Sequence, residues 1–465
     1  MKSNVTSPKK MSFLGIDFGA SFVKGAVLDP ATALIRSVVR VPFPDFIEGL
    51  PPGHREVDPA AIIGAFRDVL DRLLASEPEP EGLILCSQMH GFIFTDDRGR
   101  VLSHYYSWQD ERAGEIDPRS GRSFFDEMRT RLTEADEAAL GREVRMGHPA
   151  SQLFRLARLK LLPEAACACS LPDFILAEAC GQRPVTEATM ASAHGLFHLG
   201  RETWHDEVVG KLELSSNLLP AVVPIGSRVG SMEWRGKKIP CYTPVGDQQC
   251  ALLGVGLRKG ELSLNIATGS QASVLTASSA TENYQVRPYF GGDFLRTITH
   301  IPAGRSLNAL LRLFSEFGAE SGPDETWRRV LARVDEISET DARVDLSFFP
   351  GAFGSEGALS HLREHNLTAG HVFLAALENM AGNYRRAAEK LSPAQAWTNI
   401  VLSGGIAQKI PRLRALIQRE IPGTQRLSIS PDDTLQGLLI LASLWSGNHG
   451  DLDSIQARVM AAPAP

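Results

Sequence analysis

Two segments of this chain set a lone carboxylate in a turn of small residues: Leu14-Gly15-Ile16-Asp17-Phe18-Gly19-Ala20-Ser21 and Pro244-Val245-Gly246-Asp247-Gln248-Gln249. Glycine lets backbone N–H groups approach an anion closely, so ions and phosphates are handled at such places. Asp17 is followed by Ser21 and Lys24. A carboxylate, a hydroxyl, a cation and turn amides suit a phosphate or a metal-bound water, although an ordinary Asx turn would use the same residues. Asp247 precedes a stretch through Gly254 that reads as a helix. An Asp there is often an N-cap, contributing about 1 kcal/mol. As a functional group it would accept the proton of a hydroxyl attacking a γ-phosphate. Together the two segments predict a phosphoryl-transfer site, with Asp17 near a metal and Asp247 near the attacking hydroxyl.

Ser87-Gln88-Met89-His90-Gly91 directly follows a continuous apolar run, 82–86. In open α/β sheets ligands lie outside the carboxyl ends of strands, which places Gln88 and His90 where they could hydrogen-bond a polyol. Trp108-Gln109-Asp110-Glu111-Arg112 adds a flat ring beside paired polar groups. An aromatic face against C–H bonds, with polar groups on hydroxyls, is a common way to hold a sugar. Thr268-Gly269-Ser270 and Ser403-Gly404-Gly405 are small-residue turns suited to close backbone approach by a nucleotide. The two commonest nucleotide fingerprints, G-x-x-x-x-G-K-[ST] and a G-x-G-x-x-G opening a helix, are absent.

The elements that must position these groups are an α/β sheet, met twice. Residues 12–17, 22–29 and 34–41 read as three strands joined by short turns. Asp58-Pro59 then opens a helix with Ile63, Phe66, Leu70 and Leu73 at three- and four-residue steps, and the strand 82–86 follows. The pattern recurs: strands 262–267 and 271–277 flank the Thr268 turn, Thr368 caps a long helix with Val372, Phe373, Leu377, Met380, Tyr384 and Leu391 on one face, and strand 399–403 comes next. Two such units predict a duplicated fold with a cleft between its halves and a boundary near 251–260.

Bulk properties agree. At 465 residues the chain exceeds one ordinary core, so two domains of roughly 200 residues are expected. A hydrophobic content of 43% and a net charge of −6 fit a globular protein and give no support to nucleic-acid binding. The six cysteines do not make a disulfide framework, and Cys167-Ala-Cys169 has no second pair at zinc spacing. No apolar run reaches the ~18 residues needed to span a bilayer, and the polar first ten residues lack the apolar core of a signal peptide, so a cytoplasmic location is expected.

In their order and spacing, Gly15-Ile-Asp-Phe-Gly19, Ser87-Gln-Met-His-Gly91, Trp108-Gln-Asp110, Leu171-Pro-Asp-Phe-Ile175, Gly246-Asp-Gln-Gln249, Asn265-Ile-Ala-Thr-Gly269 and Ser403-Gly-Gly405 resemble the FGGY family of carbohydrate kinases, over about residues 13–446. Gln88-Met-His-Gly91 is similar to the motif of the ketose kinases for xylulose and sedoheptulose. The stretch from Arg287-Pro-Tyr-Phe290 through Pro302-Ala-Gly304 to Leu307-Asn308 is most similar to sedoheptulokinases. The resemblance implies an α/β fold of two ribonuclease-H-like domains, as in the actin, sugar-kinase and heat-shock ATPase superfamily, around a central cleft. Residues 11–252 would bind the sugar and carry the base; 253–450 would bind ATP. It implies Asp247 as general base, and Asp17 and Asp247 beside Mg²⁺. Gln88, Met89, His90, Trp108, Asp110 and Gln248 would face the sugar. Ser21, Lys24, Thr268, Gly269, Gly304, Gly404, Gly405 and Lys409 would face ATP.

The chain departs from the family pattern at Ala20 and Phe22, where hydroxyl residues are usual, at Lys409, where Asn is common, and at Gly354-Ser-Glu356, in place of a G-E-R run. The implied activity is ATP- and Mg²⁺-dependent phosphorylation of a terminal hydroxyl of a ketose, with sedoheptulose leading and a xylulokinase or ribulokinase type as the alternative. A catalytically weak sugar-binding or regulatory relative is the alternative of a different class. Sugar and ATP are the expected partners, without nucleic acid or membrane, and a homodimer is left open.

Overall fold

The run Phe13–Phe18 has no polar face, as a strand covered on both sides requires, and all six of its residues are buried. It is the central strand of a six-strand path in a computed structural model that describes residues 11–316, 323–428, 430, 432–447 and 450–462. The polar first ten residues and the last three of the chain lie outside the described residues.

The first lobe opens with β1 (Phe13–Phe18), β2 (Phe22–Asp29) and β3 (Leu34–Pro42), an antiparallel meander. Helix α1 (Pro59–Ser76) crosses over to β4 (Gly82–Ser87), which lies parallel to β1. The α1 start is as expected: the Asp58 side chain accepts from the Ala60 N–H and Pro59 occupies the first turn. Its buried face carries Ile62 rather than Ile63, with Phe66, Val69, Leu70 and Leu73. A long insertion of short elements follows, including α2 (Ala188–Ser192), before the chain returns through β5 (Arg228–Trp234), β6 (Lys237–Tyr242) and β7 (Val245–Gly246) into α3 (Asp247–Gly254). The sheet order is β5-β6-β4-β1-β2-β3, with β7 also paired to β4.

The second lobe repeats the plan. Strands β8 (Glu261–Ile266), β9 (Ser270–Thr276), β10 (Gln285–Pro288) and β11 (Phe294–Ile301) lead through α4 (Gly304–Ser315) to the long α5 (Ala369–Leu391). The Thr368 side chain caps α5 by accepting from the His371 N–H. Strand β12 (Asn399–Ser403) lies parallel to β8, and α6 (Gly405–Lys409), β13 (Thr424–Leu427), α7 (Asp433–Trp445) and α8 (Leu452–Ala461) complete the chain. The order is β10-β11-β9-β8-β12-β13. The expected duplication is therefore present, with strand ends shifted by one residue at several places. Cys167 and Cys169 lie in a short buried strand, and all six cysteines are free thiols. Among the described residues no helix is long and apolar enough to cross a membrane.

A seam joins the lobes. Phe13, Leu28, Ile84 and Cys86 of the first sheet share one apolar cluster with Cys250 and Leu253 of α3, Leu435 and Leu438 of α7, and Val401 of the second sheet. Helices α3 and α7 cross with Gly254 against the Asp433 backbone and Gly437 against the Cys250 backbone, leaving no room for a Cβ on either. The expected boundary after residue 252 falls inside α3, and the expected limit at 450 omits α8. Gln456 of α8 donates to the Leu253 and Leu257 carbonyls at 3.2 and 3.3 Å, so α8 belongs to the seam. Because backbone cannot yield as a flexible side chain does, Gly437→Ala should lower unfolding stability by about 1–3 kcal/mol or more, read from the midpoint of urea unfolding.

Candidate active site

Parallel pairing fixes where the chemistry gathers. Phe18 of β1 lies opposite Ser87 of β4, and Gly246 of β7 lies opposite the same Ser87. Asp17, the Gln88–His90 turn and Asp247 therefore leave neighbouring strands at one end of the first sheet. In the second sheet Asn265 of β8 lies opposite Ser403 of β12, which sets the Thr268 and Gly404 turns side by side.

Asp17 is buried, and one of its carboxylate oxygens, Oδ2, accepts from Lys24 at 2.9 Å and from the Thr434 hydroxyl at 2.7 Å. The other, Oδ1, is buried with no protein partner. Asp247 is the first residue of α3, with Gly246 as N-cap, so its side chain does not cap the helix as a lone Asp there often does. It accepts only a local contact, from the Gln248 N–H at 2.8 Å. Burial, with the Asp17 charge beside it, pushes the Asp247 carboxyl up to about 7. A carboxyl so placed exchanges a proton near neutral pH.

Lys24 lies between the lobes. Its ammonium is held by Asp17, by Asp432 at 2.8 Å and by the Thr434 hydroxyl at 3.3 Å, which uses all three of its donors within the protein. Burial alone would lower its pKa, but Asp17 and Asp432 outweigh that and raise it. It tethers the two lobes through Asp17 and Asp432. Asp432 and Thr434, which complete this junction, were not singled out from sequence; Asp432 caps α7 by accepting from the Leu435 N–H, and an Asp-Asp-Thr ahead of an apolar run is a readable helix start.

On the sugar side, the Trp108 indole N–H donates to the Gln88 Oε1 at 3.1 Å, leaving the buried Gln88 Nε2 without a partner. Trp108 is 37% exposed, so its ring face is open. Met89 is buried against Gly246. His90 has left-handed backbone (φ 71°) and stacks on His148 with ring centroids 4.1 Å apart. Its Nε2 meets the Glu143 carboxylate at 3.1 Å. Glu143, fully buried, also accepts from Arg287 at 2.6 Å and Gln285 at 2.8 Å. Burial alone would raise the Glu143 pKa, yet Arg287 and His90 hold it well below the usual carboxylate range, while burial keeps His90 and His148 below theirs. Neither Glu143 nor its pairing with Arg287 was read from sequence, because nothing local marks two partners 144 residues apart.

Two further expected sugar-side residues, Asp110 and Gln248, are held by protein partners. Asp110 is fully buried and accepts from Arg112 Nε at 2.8 Å, Arg112 Nη2 at 2.6 Å, the Arg55 N–H at 2.7 Å and Gln152 at 3.2 Å. With its oxygens on these partners, it organises the Trp108 loop. Gln248 is likewise engaged, donating to Gln271 at 2.8 Å and to Thr297 at 3.2 Å and accepting from Arg287. It ties the lobes together behind Asp247.

The turn Thr268-Gly269 is exposed with open space around it, and so is Gly405. Gly404 has φ 87°, and a Cβ there would lie 2.5 Å from the Ile266 carbonyl oxygen, so only glycine fits. Gly304 donates to the Ala267 carbonyl at 3.2 Å, drawing the α4 start to the same place. Lys409 is exposed at the end of α6, and Ser21 is exposed on the first-lobe hairpin, apart from these three turns.

Two lobes built on seven- and six-stranded sheets, with acidic groups at one set of strand ends and glycine turns at the other, have the two-domain fold of the actin-like ATPases. Residues 12–254 match the N-terminal domain of the FGGY family of carbohydrate kinases, and the chain belongs to that family, whose members use ATP. It is 24% identical to a sedoheptulokinase of Mus musculus over 466 aligned positions, spanning 88% of this chain and 92% of that one. It is 25% identical to a xylulose kinase of Streptomyces coelicolor over 422 positions, 85% of this chain and 80% of that one. The fold is similar to that of a xylulose kinase of Rhodospirillum rubrum, with a TM-score of 0.84, 20% identity and coverage of 96% and 92%.

Replacing Asp110 by Ala strands the buried Arg112 charge, so unfolding stability should fall by about 3 kcal/mol or more in urea titration. Asp247→Asn should act in the opposite sense. A carboxyl raised to about 7 in the folded protein, from about 4 unfolded, loses stability for the fold as pH rises from 4 through 7. The Asn variant should therefore gain in melting temperature over the wild type, and the gain should grow from pH 5 to pH 8.

Proposed function

We propose that this carbohydrate kinase phosphorylates a terminal hydroxyl of a ketose, with sedoheptulose as the leading acceptor. The observation that carries the reading is the Asp247 carboxyl, poised near neutral pH at the C-terminal end of the first sheet and beside the unpartnered Asp17 oxygen. The first lobe, through α3, holds the sugar, and the second holds ATP. Gln88 Nε2 is a donor with no protein partner beside the open Trp108 face, which favours a hydroxyl against Gln88 and C–H bonds against the ring. His90, fixed by Glu143, closes the other side.

Asp247 takes the proton of the attacking hydroxyl. The glycine turns at Thr268, Gly304 and Gly404 leave room for phosphates and adenine against backbone, where a side chain would collide. An all-oxygen pair of carboxylates, one with a free buried oxygen, fits Mg²⁺, and Asp17 with Asp247 would hold it. When bound, the ion neutralises charge on the phosphates. Ala20 gives the first hairpin no hydroxyl at that position, so anion contact there falls to Ser21 and backbone N–H groups.

A pentulose acceptor is the second reading, favoured by the similarity to xylulose kinases over most of the chain. ATP consumption measured across five- to seven-carbon ketoses separates the two; no sugar-stimulated turnover on the whole panel would instead indicate a catalytically weak sugar-binding relative. Asp247→Asn should lower kcat by about 10²-fold or more with little change in sugar affinity. In the wild type, kcat/KM should rise with pH along an acid limb centred near 7, and the limb should be lost in the Asn variant. Near wild-type turnover in that variant would remove Asp247 from the role.

A further inference from the structure

Gly246 is the joint on which Asp247 turns: it ends the two-residue strand β7 and is the N-cap of α3. On one side β7 pairs with β4. On the other, the Gly246 N–H donates to the Thr189 hydroxyl oxygen at 2.9 Å. That hydroxyl spends its own proton on the Glu187 carboxylate, which also accepts the Thr189 N–H and the Met190 N–H, both at 2.9 Å. Thr189 and Glu187 are each 1% exposed. Three donors converge on Glu187, so its carboxylate orients the Thr189 hydroxyl and leaves the oxygen lone pairs facing Gly246. The same short helix α2 sets Met190 in one apolar cluster with Met89, beside the Gln88–His90 turn.

Resting on the reading of Asp247 as the base, we infer that Thr189, held by Glu187, is a positioning residue for Asp247. A strand of two residues has one neighbour to hold it, and the hydroxyl is the second anchor. Without it the buried Gly246 N–H is unsatisfied, and the turn into α3 relaxes toward any group that can accept it. A carboxylate at the first position of α3 then loses its aim on the acceptor hydroxyl, and misplacement on the order of 1 Å is enough to cost about 10²-fold in rate.

The test is Thr189→Val, nearly isosteric but without the hydroxyl, beside Thr189→Ser, which keeps it. Expected for Val is a ten- to hundredfold loss in kcat, KM for sugar and ATP within about threefold of wild type, and a shifted acid limb in the pH profile. The Ser variant should recover most of kcat. Turnover of the Val variant within twofold of wild type, or a Ser variant as impaired as Val, overturns the assignment. Should Val fail to fold, Thr189→Ala removes the same hydroxyl with less bulk and is judged by the same criteria. If wild type consumes no ATP with any ketose, the kinase reading of Asp247 fails, and amide exchange at Gly246 still decides the anchor: at least tenfold faster exchange in the Ala variant supports it, and unchanged exchange overturns it.

Discussion

Two carboxylates that repel each other, Asp17 and Asp247, are brought to one cleft floor by strands that share β4 as neighbour. Everything around them answers that constraint. Lys24 and the Thr434 hydroxyl occupy one oxygen of Asp17. Asp247 has no such partner, and so carries the burden of the pair in its raised proton affinity. The asymmetry separates two otherwise similar residues: one is paired across the lobes, and the other exchanges a proton near neutral pH. The Lys24 junction is completed by Asp432 from the second lobe, so the charge balance of the first lobe's floor depends on the lobes being together.

A second division runs through the polar residues of the cleft. Asp110, Gln248 and Lys24 have polar atoms filled by protein partners, and serve to hold a loop or to join the lobes. Gln88 Nε2 and Asp17 Oδ1 are buried without partners. A buried polar atom left unsatisfied is costly, and in a cleft that cost is recovered when a ligand arrives. The contrast separates polar atoms that the fold satisfies from those that it leaves open. The Glu143–Arg287 pair adds a buried bridge from the first-lobe insertion to the edge strand of the second sheet, and fixes His90 as it does so.

Much of the fold was legible because strand and helix periodicities act locally. The first meander, its crossover helix and the parallel strand, and in the second lobe a hairpin, the long helix and its parallel strand, were readable to within a residue or so. Strands β10 and β11 were not read. The strand-end positions of Asp17, Gln88 and Asp247 followed from the same pattern. What the sequence hid was saturation and long-range pairing. Asp110 and Gln88 are both polar residues of the Trp108 region, and only the packed structure reveals which one has an atom left without a partner. Glu143 with Arg287, Asp17 with Thr434, and Gly246 with Thr189 are joined across 144, 417 and 57 residues, where no periodicity reaches. The packing of the seam was hidden for a related reason. Helix α3 belongs to the first sheet by sequence but to the seam by packing, and α8 returns to it from the chain's far end.

The crossing of α3 and α7 at Gly254 and Gly437 sets backbone against backbone, with no side chain between. Most helix contacts tolerate drift, because one residue can shrink as its neighbour grows. Here there is nothing to trade: each position admits one residue type, and no compensating change elsewhere can widen the gap. Change compatible with the fold is therefore found away from this crossing, the pivot on which both lobes bear.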